Sequence, residues 1–253
     1  MVQILGAVGK GPAGQIRAGS APEPTALATS ALFRGLPPDV LLEIALAGRV
    51  KRVPKGSMVF EQGAPAARLF VLLQGRVKAA QSTPDGQQVT ARFLNPGDPF
   101  GCVALMVTGT YPVTAMAEVD SLVAGWNAEL VVPFAYRHPQ MLMNALQYVG
   151  AQLRDTQIRL QETMTERFEQ RIAHTLLRLI GQAGRKTEEG IEINFPISRQ
   201  DIAEITGSRL YTISRTLSKW QHEGIVKSGR RHIIIIAPHR LVMIAEKCSS
   251  GSA

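Results

Sequence analysis

The stretch that decides the fold is residues 197–220, ISRQDIAEITGSRLYTISRTLSKW. It reads as two short helices separated by Thr-Gly-Ser, because apolar residues recur at helical spacing on both sides of that break. Gly207 tolerates the positive φ that a tight turn requires, and the small side chain of Ala203 lets the helices approach closely. Larger apolar side chains supply the facing surfaces: Ile202, Ile205, Ile213 and Leu217. This spacing predicts a helix-turn-helix, with Ser198 capping its first helix.

The second helix has a basic outward face, with no acidic residue between Arg209 and His222. Such a face favours a negatively charged partner, and we predict double-stranded DNA; the alternative is a solvated basic helix in a structural unit. An arginine on this face can donate two hydrogen bonds to a guanine edge. The predicted base-contacting side chains are Tyr211, Ser214 and Arg215. The predicted phosphate-contacting residues are Arg199, Gln200, Ser208, Arg209, Thr212, Lys219, Arg230 and Arg231.

The distribution of charge supports a nucleic-acid partner for the C-terminal third. The chain of 253 residues has a formal net charge of +8. Residues 1–166 contain 14 Lys/Arg and 12 Asp/Glu, a balance of +2, whereas residues 167–253 contain 14 and 8, a balance of +6. The excess therefore lies with the predicted helix-turn-helix.

Strand patterns lie on both sides of this region. GIVKSGRRHIIIIAP, after residue 223, reads as two strands around a basic turn, which makes the unit a winged helix-turn-helix. Upstream, SMVFEQG, RLFVLLQGRVKAA, QVTARFL and AGWNAELVVP read as short strands between turns. Pro84-Asp85-Gly86 predicts one hairpin turn. These spacings predict an antiparallel sandwich or roll, and so an α+β chain.

A seam of apolar and threonine residues follows at alternating spacings of four and three: Leu142, Leu146, Val149, Leu153, Thr156 and Leu160. This heptad pattern predicts one helix of about 27 residues, roughly 40 Å long. The helix either packs on its own domain or pairs with a second copy. We predict a homodimer, because a domain of this size does not bury one face of so long a helix.

The remaining composition narrows the class of protein. Two cysteines, Cys102 and Cys248, do not make a disulfide framework, and no apolar run is long enough for a membrane helix. We therefore predict a cytoplasmic protein without a signal peptide or membrane partner. No nucleophile elbow, phosphate loop, metal-ligand cluster or carboxylate pair is recognisable, so we predict neither an enzyme nor a metal site.

Two groups of motifs resemble the Crp–Fnr family of bacterial transcription regulators. SRQDIAEITGSRLYTISRTLSKWQHEGIVKSGRR is similar to the family's helix-turn-helix. VPKGSMVFEQG, LFVLLQGRVK, LNPGDPFGCVAL and YPVTAMAEVDSLVAGW are similar to its cyclic-nucleotide-binding β-roll, in the same order. The resemblance implies a homodimer on a near-palindromic site, a β-roll that responds to an effector, and RNA polymerase as a further partner.

The resemblance also implies an effector pocket at Gly101, Cys102, Val113 and Thr114. Members that bind cyclic AMP carry a Glu after Phe-Gly and an Arg-Ser pair further on, but this chain has Cys102 and Tyr111-Pro112 there. We therefore predict no tight binding of cyclic AMP, because the cyclic phosphate would lack a cation. With no cysteine before Cys102, the family's four-cysteine iron–sulfur site is excluded. No cofactor is evident, and a small-molecule or redox effector stays unidentified.

Two further interpretations stay open at this point. Cys102 is either a small buried residue, which we favour, or a thiol that senses oxidant or nitric oxide or ligates haem. The whole chain is either a transcription regulator or a regulatory module that controls a partner enzyme. The predicted organisation is a disordered tail (1–29), a β-roll sensor (30–138), a dimerisation helix (139–166), a winged helix-turn-helix (167–243) and a second tail (244–253).

Overall fold

The structure, a computed structural model, describes residues 18–83, 88–106 and 109–246. Two helices precede the sheet region, α1 (Pro24–Ala28) and α2 (Pro38–Ala47), each with proline near its first turn. The helix α2 buries four side chains against the roll that follows: Val40, Leu41, Ile44 and Ala45.

The N-terminal half is a β-roll of two antiparallel four-stranded sheets, with strand orders β1-β8-β3-β6 and β2-β7-β4-β5. Its strands are β1 (Arg49–Val53), β2 (Met58–Phe60), β3 (Arg68–Gln74), β4 (Val77–Ser82), β5 (Gln88–Leu94), β6 (Pro99–Phe100), β7 (Thr114–Ala117) and β8 (Ser121–Asn127). A short 3-10 helix covers Cys102–Leu105. The strands β4 and β5 pair up to Ser82 and Gln88, while the predicted hairpin turn between them lies outside the described residues.

Two consecutive helices leave the roll, α3 (Ala128–Arg137) and α4 (Pro139–Thr165). The strand expected for AGWNAELVVP is wrong beyond Asn127, because residues 128–137 are helical and bury Val131 and Phe134 at helical spacing. The helix α4 buries Met141 near its start, and most of its later turns are exposed.

The C-terminal unit is a winged helix-turn-helix. Its elements are α5 (Phe168–Ala183), β9 (Gly184–Thr187), β10 (Gly190–Ile193), α6 (Arg199–Thr206), α7 (Leu210–His222), β11 (Val226–Gly229), β12 (His232–Ile235) and α8 (Pro238–Ala245). The four strands form one antiparallel sheet in the order β11-β12-β10-β9. A core that includes Ile172, Ile213, Leu217 and Trp220 holds the helices against this sheet.

Both predicted tails need correction where the structure describes them. Residues 18–29 contain α1, and Leu27 is fully buried, so this segment is part of the folded domain. The backbone N–H of Gly19 also donates to Val50 O at 2.7 Å. At the other end α8 continues to Ala245, which is buried in the C-terminal core. Both segments are ordered because their apolar side chains are buried in the folded domains, and local composition does not reveal such burial.

The helix-turn-helix unit packs on the β-roll of the same chain through buried charges. Lys78 Nζ, on β4, lies 3.3 Å from Glu204 Oε2, 3.6 Å from Asp201 Oδ1 and 3.9 Å from Glu118 Oε1. Arg231 of the wing approaches the same Glu118 at 2.9 Å. This network holds α6 and the wing against the sheet that contains β4 and β5.

None of the helices in the described ranges is both long enough and apolar enough to cross a lipid bilayer.

Candidate nucleic-acid interface and effector cavity

The turn between α6 and α7 has the conformation that the sequence predicts. Gly207 adopts φ 61° and ψ 30°, the left-handed region in which glycine carries no steric penalty. Its N–H donates to Ala203 O, and the N–H of Ser208 donates to the same oxygen at 3.0 Å. Ala203 is buried where the helices approach, as expected for a small residue at this place. This geometry fixes the direction in which α7 leaves the turn.

The first helix of the pair begins with a capping box. Ser198 Oγ accepts from the N–H of Asp201 at 3.1 Å, and Asp201 Oδ2 accepts from the N–H of Ser198 at 2.8 Å. These two bonds satisfy amide groups that a helix start leaves without intrahelical partners. The predicted role of Ser198 as the N-cap is confirmed.

The outward face of α7 is exposed and rich in hydrogen-bond donors. Ile213, Leu217 and Trp220 are buried, so the opposite face turns to solvent. Among the predicted base-contacting residues, Tyr211 is 75% exposed, Arg215 is exposed and Ser214 is half-buried. The three side chains therefore lie on one accessible helix surface, which is the geometry a major-groove reader requires.

The predicted phosphate-contacting residues fall into three groups. Ser208, Arg209 and Thr212 lie around the start of α7, where its free N–H groups and partial positive charge favour an anion. The second group already has partners within the chain. Lys219 Nζ lies 3.3 Å from Glu169, and the wing residue Arg231 is paired with Glu118 of the roll.

The remaining members of the set are placed near α6 and the wing. Arg199 donates to Ser228 Oγ at 3.3 Å and so connects α6 to the wing. Gln200 donates to Glu204 Oε1, also at 3.3 Å, and Arg230 is exposed in the turn of the wing. Arg231 would have to break its ion pair with Glu118 to reach a phosphate, whereas Arg230 is exposed and needs no such rearrangement.

A groove of about 290 Å³ lies beside the start of α7. It is lined by Phe168, Arg171, Ser208, Arg209, Tyr211, Thr212 and Arg215. Phe168 and Arg171 belong to α5 and were missed by the sequence analysis, because nothing in the local pattern places α5 beside α7. Arg171 donates to the backbone oxygen of Glu166 at 3.1 Å, which holds its cationic group at this edge. The groove thus adds a third arginine to the basic surface.

A second cavity, of about 420 Å³, lies between the β-roll and α4. Gly101, Cys102 and Val113 line it, as predicted. Thr114 does not line it, and its hydroxyl accepts a hydrogen bond from the N–H of Gln62 at 3.0 Å. The other lining residues are Phe60, Ala79, Gln81, Ala91, Arg92, Leu94, Phe100, Val103, Met106, Tyr111, Pro112, Ala115, Tyr148, Val149, Gln152, Thr156 and Arg159.

The chemistry of the cavity bears on the role of Cys102. Burial raises the pKa of this thiol to about 11, with nearby Arg92 lowering it only in part, so the thiol is protonated at neutral pH. A reactive cysteine needs the thiolate form, so the structure favours the interpretation of Cys102 as a packing residue. Burial likewise raises the pKa of Tyr148, whose hydroxyl accepts a hydrogen bond from Arg92 at 2.6 Å.

The predicted seam lies along the face of α4 next to this cavity. Leu146, Leu153 and Leu160 are 66%, 58% and 56% exposed in the single chain. Leu142 differs, because it is half-buried and packs on the core of its own N-terminal domain. The two remaining positions, Val149 and Thr156, line the cavity. A molecule in the cavity would therefore contact the same helix that carries the exposed apolar residues.

Two known protein domain families match separate parts of the chain. Residues 50–134 match the cyclic nucleotide-binding domain, and residues 170–244 match the Crp-like helix-turn-helix domain. The first match contains most of the β-roll, and the second contains the turn, α7 and the wing.

Individual relatives are similar over most of the chain. The chain is 28% identical over 201 residues to the cyclic AMP receptor protein of Thermus thermophilus, covering 79% of this chain and 89% of that protein. It is 22% identical over 215 residues to a CRP-like cAMP-activated global transcriptional regulator of Mycobacterium tuberculosis, covering 85% and 96%. Among solved structures, FixK2 from Bradyrhizobium japonicum is similar with a TM-score of 0.70 at 23% identity, covering 81% of this chain and 100% of that chain.

Proposed function

Because the chain joins a cyclic nucleotide-binding domain to a Crp-like helix-turn-helix, it belongs to the Crp–Fnr family of transcription regulators, and we propose that it is an effector-responsive homodimer on near-palindromic DNA. Regulation of transcription through DNA binding is its function, and the relatives it matches are transcription regulators. The mode of DNA contact, the dimer interface and the role of the cavity are the proposed parts.

The observation that carries the proposal is the exposed basic face of α7. The helix is fixed by the left-handed turn at Gly207 and by its buried apolar face, so Tyr211, Ser214 and Arg215 project together. In the proposed complex Arg215 donates to the major-groove edge of a guanine, and Arg209 at the helix start contacts phosphate. Tyr211 and Ser214 contact the neighbouring base pairs.

The exposed leucines of α4 support a parallel pairing of two chains. Leu146, Leu153 and Leu160 would leave water at such an interface, which is favourable by roughly 25 cal/mol for each Å² of apolar surface buried. Two copies related by a two-fold axis would present two α7 helices to successive major grooves. Their half-sites would lie about 34 Å apart, one turn of the DNA.

The cavity is the proposed effector site because it touches both the roll and α4. A ligand that contacts Val149 and Thr156 would act directly on the dimer helix, and a ligand with different affinity for two arrangements shifts their populations. Cyclic AMP is disfavoured as the effector, since Cys102 and Tyr111-Pro112 replace the family's ribose and phosphate ligands. The expectation that this pocket lacks a cation is wrong, however, because Arg92 and Arg159 line the cavity. We further infer that the DNA-bound dimer acts on RNA polymerase in the cytoplasm, in keeping with one relative that is named a transcriptional activator.

The salt dependence of binding to a fluorescently labelled duplex of mixed sequence tests the proposed DNA interface. We expect the logarithm of the association constant to fall linearly with the logarithm of salt concentration, as released counterions require. Arg209→Ala should reduce that slope by roughly 2, because a dimer loses two phosphate contacts. Lys55→Ala, which removes an exposed cation from the roll, should leave the slope unchanged.

Two results would contradict this proposal. Equal slopes for Arg209→Ala and Lys55→Ala would place the DNA interface elsewhere on the chain. Failure of the folded dimer to bind any duplex would favour the alternative function, a regulatory module whose basic unit docks on a partner enzyme.

A further inference from the structure

Two arginine side chains line the effector cavity, and each is held by uncharged groups. Arg92, on β5, donates to Tyr148 Oη at 2.6 Å, and its guanidinium carbon lies 5.1 Å from the centre of that ring. Arg159, on α4, donates to a backbone oxygen of β5 at 2.6 Å and to Thr156 Oγ1 at 3.3 Å. Arg92 also donates to the backbone oxygen of Pro99 at 3.3 Å, and within the described parts of the chain neither guanidinium forms an ion pair with a carboxylate. The cavity wall therefore contains two oriented cations that no anion neutralises at contact distance.

Nearby carboxylates reduce this positive charge without pairing with either guanidinium, and Asp98 is the one that interacts with Arg92. Burial lowers the pKa of Arg159, and the nearby cations Arg178 and Arg92 lower it further, while Asp155 and Glu162 act in the opposite direction. Glu162 is already paired with Arg178 at 2.6 Å. A negative group placed between Arg92 and Arg159 would therefore relieve the repulsion between two partly buried cations.

The rest of the cavity is apolar and rich in aromatic rings. Phe60 and Tyr111 are stacked with ring centroids 3.8 Å apart, and Phe100 lies 5.9 Å from Phe60. Tyr111 Oη accepts from the N–H of Arg68 and donates to its carbonyl oxygen at 2.7 Å, so this ring is held in place. Two of the polar side chains in the wall already donate within the chain, Gln81 to Pro112 O at 3.2 Å and Thr156 to Gln152 O at 2.8 Å, so few free polar groups face a ligand's hydroxyl groups. The wall thus suits a flat ring system with few hydroxyl groups.

We propose that the effector cavity binds an aromatic carboxylate, with its carboxylate between Arg92 and Arg159 and its ring against Phe60, Phe100 and Tyr111. The inference rests on the proposed role of the cavity as the effector site and names the chemical class of the effector. Guanidinium groups match a carboxylate in geometry as well as charge, and such hydrogen bonds are stronger than neutral ones. The cavity of about 420 Å³ is in the size range of small-molecule sites.

Titration calorimetry of the full chain with 2-naphthoate and its uncharged isostere 2-naphthamide tests the charge requirement. We expect the carboxylate to bind and the amide to bind roughly 10- to 100-fold more weakly, because it lacks the charge-assisted hydrogen bonds. Arg159→Gln should reduce the affinity for 2-naphthoate by a similar factor and leave that for 2-naphthamide unchanged. Arg92→Gln is the second variant, with a melting curve to establish that each protein is folded.

The matched control is Arg154→Gln, which removes an exposed arginine of α4 that does not line the cavity. It should bind 2-naphthoate like the wild type. Equal affinity of the wild type for acid and amide would overturn the proposal, as would no heat of binding with 2-naphthoate at millimolar concentration. Binding of cyclic AMP as tight as that of 2-naphthoate would overturn the preference for a ligand with few hydroxyl groups.

This design distinguishes failure of the proposed ligand class from failure of the proposed function. Calorimetry measures occupation of the cavity, whereas fluorescence anisotropy of labelled duplex measures DNA binding in the same samples. Selective binding of 2-naphthoate that leaves DNA affinity unchanged would support the ligand class and contradict the effector role. DNA binding by a protein that discriminates poorly between acid and amide would contradict the ligand class alone.

Discussion

The buried charge network between the roll and the helix-turn-helix unit gives a quantitative prediction for Lys78→Met. The Lys78 side chain is 8% exposed and faces Glu204, Asp201 and Glu118. Methionine retains much of the apolar stem and removes the charge. The substitution therefore leaves three carboxylates close together with less cationic compensation.

The expected cost follows from the partners that remain. Removing one member of a buried ion pair costs about 3–5 kcal/mol, because the other charge stays buried without compensation. Glu204 keeps a hydrogen bond from Thr90 Oγ1 at 2.9 Å, and Glu118 keeps its pair with Arg231. We therefore expect the lower end, about 3 kcal/mol, which corresponds to a Tm lower by roughly 6–12 °C for a chain of this size.

Scanning calorimetry of the full chain measures this effect, with Lys227→Met as the control. Lys227 pairs with Glu189 at 2.7 Å, but the two side chains are 58% and 53% exposed. An exposed pair contributes about 0–1 kcal/mol, so the control should lower the Tm by only a few degrees. Lys78→Met with Glu204→Gln should recover part of the loss, since it also removes a carboxylate. Equal Tm values for Lys78→Met and Lys227→Met would refute the account of the network.

Three further predictions concern base contact, dimerisation and the cavity. Arg215→Ala should weaken DNA binding by about 1–3 kcal/mol per half-site and relax the base preference at one position. Competition among duplex variants measures both effects, and an equal loss for all sequences would indicate that Arg215 contacts phosphate. Leu153→Lys should give folded monomers in sedimentation, whereas a surviving dimer would place the interface elsewhere. Affinity for 2-naphthoate should be constant between about pH 6 and 9, because burial raises the pKa values of Cys102 and Tyr148 and both groups stay uncharged over this range. A decline in affinity above pH 8, measured by calorimetry, would indicate that Cys102 has become a thiolate.

Features set by neighbouring residues could be predicted from the sequence. The left-handed conformation of Gly207 and the capping role of Ser198 depend on groups within a few positions, so residue types and spacing suffice. The buried positions Ile213 and Leu217 follow from helical periodicity in the same way. These local rules fix the orientation of the basic face.

Features that depend on distant residues could not be predicted. The segment that contains Leu27 has the composition of a tail, and its order comes from burial against the roll. The helix α3 was not predicted because it contains Pro133, and proline is expected to interrupt a helix rather than lie within one. Arg92 and Arg159 are brought to one cavity only by the packing of α4 on β5, and Lys78 meets Glu204 across the interface between the two units.

Selection from random duplex DNA by the purified, reduced protein, without ligand and with 2-naphthoate, tests the central claim most directly. We predict enrichment of a two-fold symmetric site whose half-sites lie one helical turn apart. Each half-site should contain a guanine that is no longer required when Arg215→Ala is selected in parallel. The absence of symmetric enrichment in both conditions, or the same site for the wild type and Arg215→Ala, would contradict the account.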